Sequence, residues 1–112
     1  METRILDRIK RLVGITDDSK DDVLKDIIYI MSNAITSYCG VDTVPLKLEY
    51  IVVETSIVRY NRLGAEGLKS ESIDVIKSEY VDDIMSSYYV AMDRWLEEQG
   101  TSINPSKKVR FF

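Results

Sequence analysis

Residues 24–38 read LKDIIYIMSNAITSY, and the predicted class of fold follows from this stretch. Its apolar side chains recur at spacings of three and four, which is the period of one face of an α-helix. We therefore predict a helix of about 20 residues, the clearest in the chain. Tyr29 and Ile30 widen the stripe, so we expect burial on two sides, by the core and by a neighbouring subunit. The stripe itself consists of Leu24, Ile27, Ile28, Met31, Ala34, Ile35 and Tyr38.

A shorter helix is predicted before this stretch, and Gly14 is a favourable residue to end it. Its apolar face consists of Ile5, Leu6, Ile9, Leu12 and Val13. Its other face is basic and consists of Arg4, Arg8, Lys10 and Arg11. A basic face of this kind is more often solvated, or paired with an acidic neighbour, than bound to nucleic acid. The oxygens that we expect to cap the next helix belong to Thr16, Asp17 and Asp18.

Two further helices are predicted after the central one. The third has Pro45 in its first turn, runs for about 18 residues and is ended by Gly64. Its many β-branched residues make a strand conceivable, but the spacing of three and four favours a helix. The fourth begins near Tyr80 and is ended by Gly100.

These patterns predict an all-α fold. We expect a four-helix domain over residues 1–99, with a short N-terminal helix and three longer helices. A long loop joins helices 3 and 4, over residues 65–79, where no strong period is found. Residues 100–112 are predicted to form an extended C-terminal arm, because Asn104-Pro105 disfavours a helix there.

Composition bounds the class of protein. The chain has 112 residues, a formal net charge of −4 and no histidine. Histidine is the commonest general base and the commonest metal ligand, so the chemistry open to the chain is restricted. The single Cys39 excludes an internal disulfide, and no segment reaches the roughly 20 apolar residues of a membrane span. We expect a soluble protein that is made in the cytoplasm and has no membrane partner.

No catalytic, metal or cofactor site is predicted. The carboxylates cluster at the starts of helices, where capping and the helix dipole explain them. Gly64 and Gly67 are not followed by the residues of a phosphate-binding loop. The tyrosines could stack on the bases of a single strand. Core packing is the better explanation for Tyr38, Tyr88 and Trp95, which lie on the apolar stripes.

The C-terminal arm is the second feature that points to an interaction. Residues 107–112 alternate loosely between basic and apolar side chains, and two phenylalanines end the chain. Such an arm can add a strand to a partner or lie in a groove. Disordered ends are usually poor in aromatic residues, so docking is favoured over disorder. The residues concerned are Lys107, Lys108, Val109, Arg110, Phe111 and Phe112.

Residues 60–72 read YNRLGAEGLKSES. Together with Val44-Pro45 and Leu48-Glu49 at the start of the third helix, this segment resembles the head–tail connector (adaptor) proteins of tailed bacteriophages. The resemblance covers most of the chain. Members of that family often have a glycine and a short polar piece after Ser-Glu-Ser, whereas residues 73–77 here contain no glycine.

The resemblance implies a structural ring protein of the virion, of about twelve copies, docked beneath the portal protein. Such a ring extends the DNA channel, lets packaged DNA pass without sequence-specific binding, and carries a stopper or tail-completion protein. The arm would then reach the portal, and Arg62 and Glu66 would supply ion pairs at a subunit or portal interface. The residues predicted for that interface are Asn61, Arg62, Gly64, Glu66, Gly67, Ser70 and Glu71.

A small helical nucleic-acid-binding module is the alternative. It would use the basic first helix together with Lys107, Lys108 and Arg110. Because phosphate contacts dominate such binding, it would weaken steeply as salt is added. An enzyme is the least favoured class, since no catalytic site can be assembled from these residues.

Overall fold

The computed structural model describes residues 1–66 and 80–100, and within these two ranges all regular structure is helical. The fold is therefore all-α with four helices, as predicted, and the strand considered for the third segment does not form. Helix α4 covers residues 80–98 and is interrupted by a 3-10 turn at Ser86–Tyr88, after which Tyr89–Glu98 is α-helical. The other elements are α1 at Glu2–Val13, α2 at Asp21–Cys39, a 3-10 turn at Leu46–Leu48 and α3 at Glu49–Glu66.

Helix α2 is the centre of the packing, because it contacts α1, α3 and α4. Its 19 residues match the predicted length. Most of the stripe is buried, with Leu24, Met31 and Ile35 at 0% exposure, whereas Ala34 and Tyr38 are partly buried. The wider stripe was predicted to be buried on two sides. In the single chain, however, Ile30 is half-buried and Tyr29 is 66% exposed.

Glycine ends α1 and α2, as the sequence predicts. Gly14 and Gly40 have φ values of 81° and 71°, in the left-handed region that other residues rarely adopt. Their amides donate to the carbonyl oxygens of Lys10 and Thr36. The next amides, of Ile15 and Val41, donate to the same two oxygens, so both helix ends are closed by backbone hydrogen bonds.

Three predicted helix boundaries are wrong. Helix α2 begins at Asp21 rather than beside Asp17, because the Asp17 carboxylate instead accepts hydrogen bonds from the amide and hydroxyl of Ser19. Pro45 is extended, with φ −61° and ψ 145°, so it precedes the 3-10 turn instead of lying in a first helical turn. Gly64 lies inside α3, which ends at Glu66. Glycine permits a helix stop but costs only about 1 kcal/mol in a helix interior, so it does not force one.

The sequence predicts α4 as one continuous helix. The structure instead has a 3-10 turn in the middle of this helix. The hydroxyl of Ser86 donates to the carbonyl oxygen of Asp83 at 3.0 Å, next to the 3-10 turn. A serine side chain that bonds to the preceding turn competes with the regular backbone ladder, and paired serines are a known cause of helix irregularity. The two parts of α4 still bury Met85 and Met92, each at 0% exposure.

The packing around α2 gives a direct test. We expect Ile35→Ala to lower the free energy of unfolding by about 2–5 kcal/mol, because it removes buried methyl groups and leaves a cavity. Asn33→Ala, at an exposed position of the same helix, should change it by less than about 0.5 kcal/mol. Urea unfolding followed by circular dichroism measures both. Equal effects of the two substitutions would contradict the packing of α2.

Candidate functional site

The first predicted interaction surface begins at the end of α3. Asn61 and Arg62 are exposed there. Nη1 of Arg62 lies 2.7 Å from Oδ2 of Asp83, so this ion pair joins α3 to α4 within one chain. An ion pair of two exposed side chains contributes little stability, roughly 0–1 kcal/mol. Arg62 thus already has a partner in its own chain, which the sequence did not reveal.

The structure describes the other residues of this predicted interaction surface only in part. Gly64 and Glu66 lie in the last turns of α3, while the side chain of Glu66 is not among the described atoms. Gly67, Ser70 and Glu71 lie outside the described residues, and so does the whole arm at 107–112. The interface predicted for these positions therefore stays a prediction.

An open groove of about 530 Å³ lies between α1 and the start of α3. Three apolar side chains on its walls are solvent-exposed: Leu12 at 63%, Leu46 at 75% and Tyr50 at 46%. Arg4 and Arg8 line it from the side of α1. The sequence pattern placed Leu12 on the apolar face of the first helix, but its side chain is largely exposed. Arg4, Arg8 and Leu12 follow each other at intervals of four residues, which places Leu12 on the outer line of α1.

The basic face of α1 is partly neutralised by carboxylates of the same chain. Arg4 binds both carboxylate oxygens of Glu49, at 2.8 and 2.7 Å. Nζ of Lys10 lies 2.8 Å from Asp21 and 3.0 Å from Asp18. These hydrogen bonds, first to Asp21 and then to Asp18, raise the pKa of Lys10. The expectation that this face meets an acidic neighbour is confirmed for these two cations.

Tyrosines occupy the contact between α4 and the two helices beneath it. The rings of Tyr38 and Tyr89 stack with centroids 4.7 Å apart. The Tyr38 hydroxyl donates to Oδ1 of Asp93 at 2.6 Å, and the Tyr88 hydroxyl donates to Oε1 of Glu54 at 2.6 Å. Because the rings pack on the core and the hydroxyls bond to carboxylates, these residues hold the helices together. This agrees with the prediction of Tyr38 and Tyr88 as packing residues.

A buried cation holds the start of α4. Arg59 of α3 is 2% exposed, and its guanidinium carbon lies 3.7 Å from the centroid of the Tyr80 ring. A cation over an aromatic face is attracted by the ring's electrons, and the attraction reaches about 2 kcal/mol when water is excluded. No motif of the sequence indicated this contact between α3 and the start of α4.

Candidate metal ligands are scattered over the described part of the chain rather than clustered. Among residues 1–66 and 80–100, no three His, Cys, Asp or Glu side chains lie together as metal ligands would. Several of the carboxylates in these ranges accept hydrogen bonds from Arg, Lys or Tyr side chains. No helix described here is both long and apolar enough to cross a membrane.

Comparison with known proteins gives one match. The family model described as phage gp6-like head-tail connector protein matches residues 3–95, which extend from α1 into the last part of α4. Searches of curated proteins and of solved structures find no match. The family match agrees with the resemblance drawn from residues 60–72.

The tyrosine contacts predict a loss of stability in alkaline solution. Burial, with the hydrogen bond to Asp93, raises the pKa of Tyr38. The hydrogen bond to Glu54, with burial, raises the pKa of Tyr88 to about 12. Tyrosines of the unfolded chain ionise near pH 10, roughly their unperturbed value. Between about pH 10 and 12 the folded state therefore binds more protons, and the free energy of unfolding falls as pH rises.

Urea unfolding between pH 8 and roughly pH 11 measures this slope. We expect Tyr38→Phe and Tyr88→Phe each to make it shallower, because each removes a group that ionises first in the unfolded state. Tyr29→Phe is the matched control, since Tyr29 is 66% exposed. A slope that is the same in all three variants would contradict the assignment to Tyr38 and Tyr88.

Proposed function

The chain belongs to the phage gp6-like head-tail connector family, and from this membership we propose that it forms a ring beneath the portal protein of the virion. The family is one of structural components of the head–tail junction. In the proposed role the ring extends the DNA channel and carries a stopper or tail-completion protein. The observation that carries the proposal is the family match over residues 3–95, which includes parts of all four helices.

The surface of the chain is compatible with assembly into a ring. Closed rings of identical subunits use heterologous contacts, in which one patch meets a different patch on the next copy. The described residues expose large apolar side chains on several helices, including Leu12 on α1, Tyr29 on α2 and Val90 on α4. By resemblance to the family, we place the number of copies at about twelve.

We assign the contact with the portal to two segments. The first comprises Asn61, Arg62, Gly64, Glu66, Gly67, Ser70 and Glu71. The second is the arm formed by Lys107, Lys108, Val109, Arg110, Phe111 and Phe112. The exposure of Asn61 and Arg62 supports the first assignment, because both remain accessible at the end of α3. The composition of the arm supports the second, because its phenylalanines gain most from burial against a partner.

The net charge of −4 supports a channel through which DNA passes without binding. Affinity for DNA depends mainly on cations that neutralise phosphates. In α1 the cations of Arg4 and Lys10 are already paired with carboxylates. This observation weakens the alternative of a nucleic-acid-binding module.

Assembly with the portal protein tests the proposal. We expect electron microscopy of the purified chain mixed with the portal protein of the same phage to show a ring at the portal's tail-facing end.

A chain that ends at Pro105 should bind the portal more weakly, because it lacks both phenylalanines. Phe111→Ala/Phe112→Ala and Lys107→Ala/Lys108→Ala, each in the full chain, separate apolar from charged contributions. Undiminished binding of the truncated chain would contradict the role of the arm, whereas a portal that stays bare with the full chain would contradict the function.

A DNA-binding assay separates the two candidate functions. At about 50 mM salt, where phosphate contacts are strongest, we expect no retardation of duplex or single-stranded DNA by the isolated protein. Circular dichroism of the same sample confirms that the protein is folded. Binding that is tight at low salt and disappears as salt is added would favour the nucleic-acid-binding module.

A further inference from the structure

The groove between α1 and α3 has a defined order of side chains along one edge. Arg4, Arg8 and Leu12 stand at successive turns, so two cations are followed by an apolar residue. Leu46 and Tyr50 face the same groove and extend its apolar part. Arg4 is held by Glu49, while Arg8 is exposed and forms no ion pair with any residue of 1–66 or 80–100. We call this surface, from Arg4 to Leu12 with Leu46 and Tyr50, the basic groove.

The outer face of α2 has the matching order with opposite charge. Asp22 and Asp26 are exposed, and Tyr29 follows one turn later with 66% of its surface accessible. Neither aspartate forms an ion pair within the described ranges. Lys25 lies beside them, so the surface keeps only a small negative excess. We call Asp22, Asp26 and Tyr29 the acidic ridge.

We propose that the acidic ridge of one copy binds in the basic groove of the next copy, and that this is the contact between ring subunits. The two helices would run in the same direction, with Asp26 beside Arg8 and Tyr29 between Leu12, Leu46 and Tyr50. Asp22 would lie at the end of the groove, beside the pair of Arg4 and Glu49. At a rise of 1.5 Å per residue, Arg4 to Leu12 spans about 12 Å and Asp22 to Tyr29 about 10 Å. The two surfaces are therefore close in length. Three cations (Arg4, Arg8, Lys47) and two carboxylates (Glu49, Glu54) line the groove, so its net charge is one positive and opposite in sign to that of the ridge.

The contact fits a second copy of this chain better than it fits the C-terminal arm. The arm would bring Lys107, Lys108 and Arg110 beside Arg8 and Lys47, which places like charges together. The acidic ridge instead brings carboxylates beside these cations, so that opposite charges meet. Tyrosine, moreover, is among the residues that most often carry the binding energy of an interface.

The geometry of the contact also suits a closed assembly. Groove and ridge lie on different helices, so a dimer made through one contact keeps a free groove on one copy and a free ridge on the other. The contact therefore adds subunits in a row, and the row becomes a ring where the rotation between neighbouring copies closes. This inference rests on the proposed ring function and specifies the side contact within it.

Cysteine cross-linking tests the position of the contact. In Leu12→Cys/Tyr29→Cys, mild oxidation should give a ladder of dimers, trimers and larger covalent species on a denaturing gel. Leu12→Cys/Val90→Cys is the matched control, because Val90 is 65% exposed but lies on α4. The native Cys39 is buried and is present in both variants. A ladder that is absent at high protein concentration, or equally strong in the control, overturns the contact.

Charge-reversing substitutions test whether opposite charges hold the proposed contact together. Arg8→Glu and Asp26→Lys should each weaken self-association about tenfold in sedimentation velocity, because each brings like charges together at every contact. Mixing the two variants should restore association, since groove and ridge of unlike copies are again opposite in charge. Asp7→Lys is a control on the charge of α1 and should leave association unchanged.

These outcomes are separable from those for the proposed function. If single variants and the mixture associate as the original chain does, the contact is wrong. A ring seen at the portal in that case still supports the connector function with a different side contact. A cross-linked ladder from a chain that forms no ring at the portal supports the contact and contradicts the function. An arm that occupies the groove would appear as cross-linking enhanced in a chain ending at Pro105.

Discussion

The apolar stripe of α2 is buried against three other helices at once, and the remaining structure depends on that burial. Ile28, Met31 and Ile35 are each at most 1% exposed. Removing such side chains from water provides most of the free energy that a domain of this size has available. Helices α1, α3 and α4 each cover one part of the stripe. The outward sides of the four helices remain accessible to solvent, and they carry the candidate interaction surfaces.

Polar contacts then fix how the covering helices sit on α2. Tyr38, Tyr88 and Tyr89 pack their rings on the core. The hydroxyls of Tyr38 and Tyr88 donate to carboxylates on α4 and α3, whereas that of Tyr89 donates to Asp82 within α4. A hydrogen bond to a charged acceptor has a narrow geometry, so it specifies position more than apolar contact does. The two ends of α1 are fixed by charge in the same way, through Arg4 with Glu49 and Lys10 with Asp21.

The helices could be predicted from the sequence because each one buries a stripe with the period of 3.6 residues. The ends of the helices were harder to predict. Gly14 ends a helix and Gly64 does not, although both follow an amphipathic pattern. The candidate surfaces were predictable only in part. The exposure of Arg62 follows from its position on α3, but its partner Asp83 follows from where α4 lies, which no local pattern contains. Leu12 and Leu46 form one groove only because α1 rests on the start of α3.

The contact between Arg59 and the Tyr80 ring affects how far the connection between α3 and α4 can vary in length. Leu63 and Tyr80 are both buried, so the residues on either side of the connection are held at fixed positions. Closing a connection between fixed points costs only about 0.6 kcal/mol more for each doubling of its length. Insertions or deletions in residues 67–79 can therefore be accepted with little change in the scaffold. A phage lineage could in this way change the length of the connection while the four-helix core remains the same.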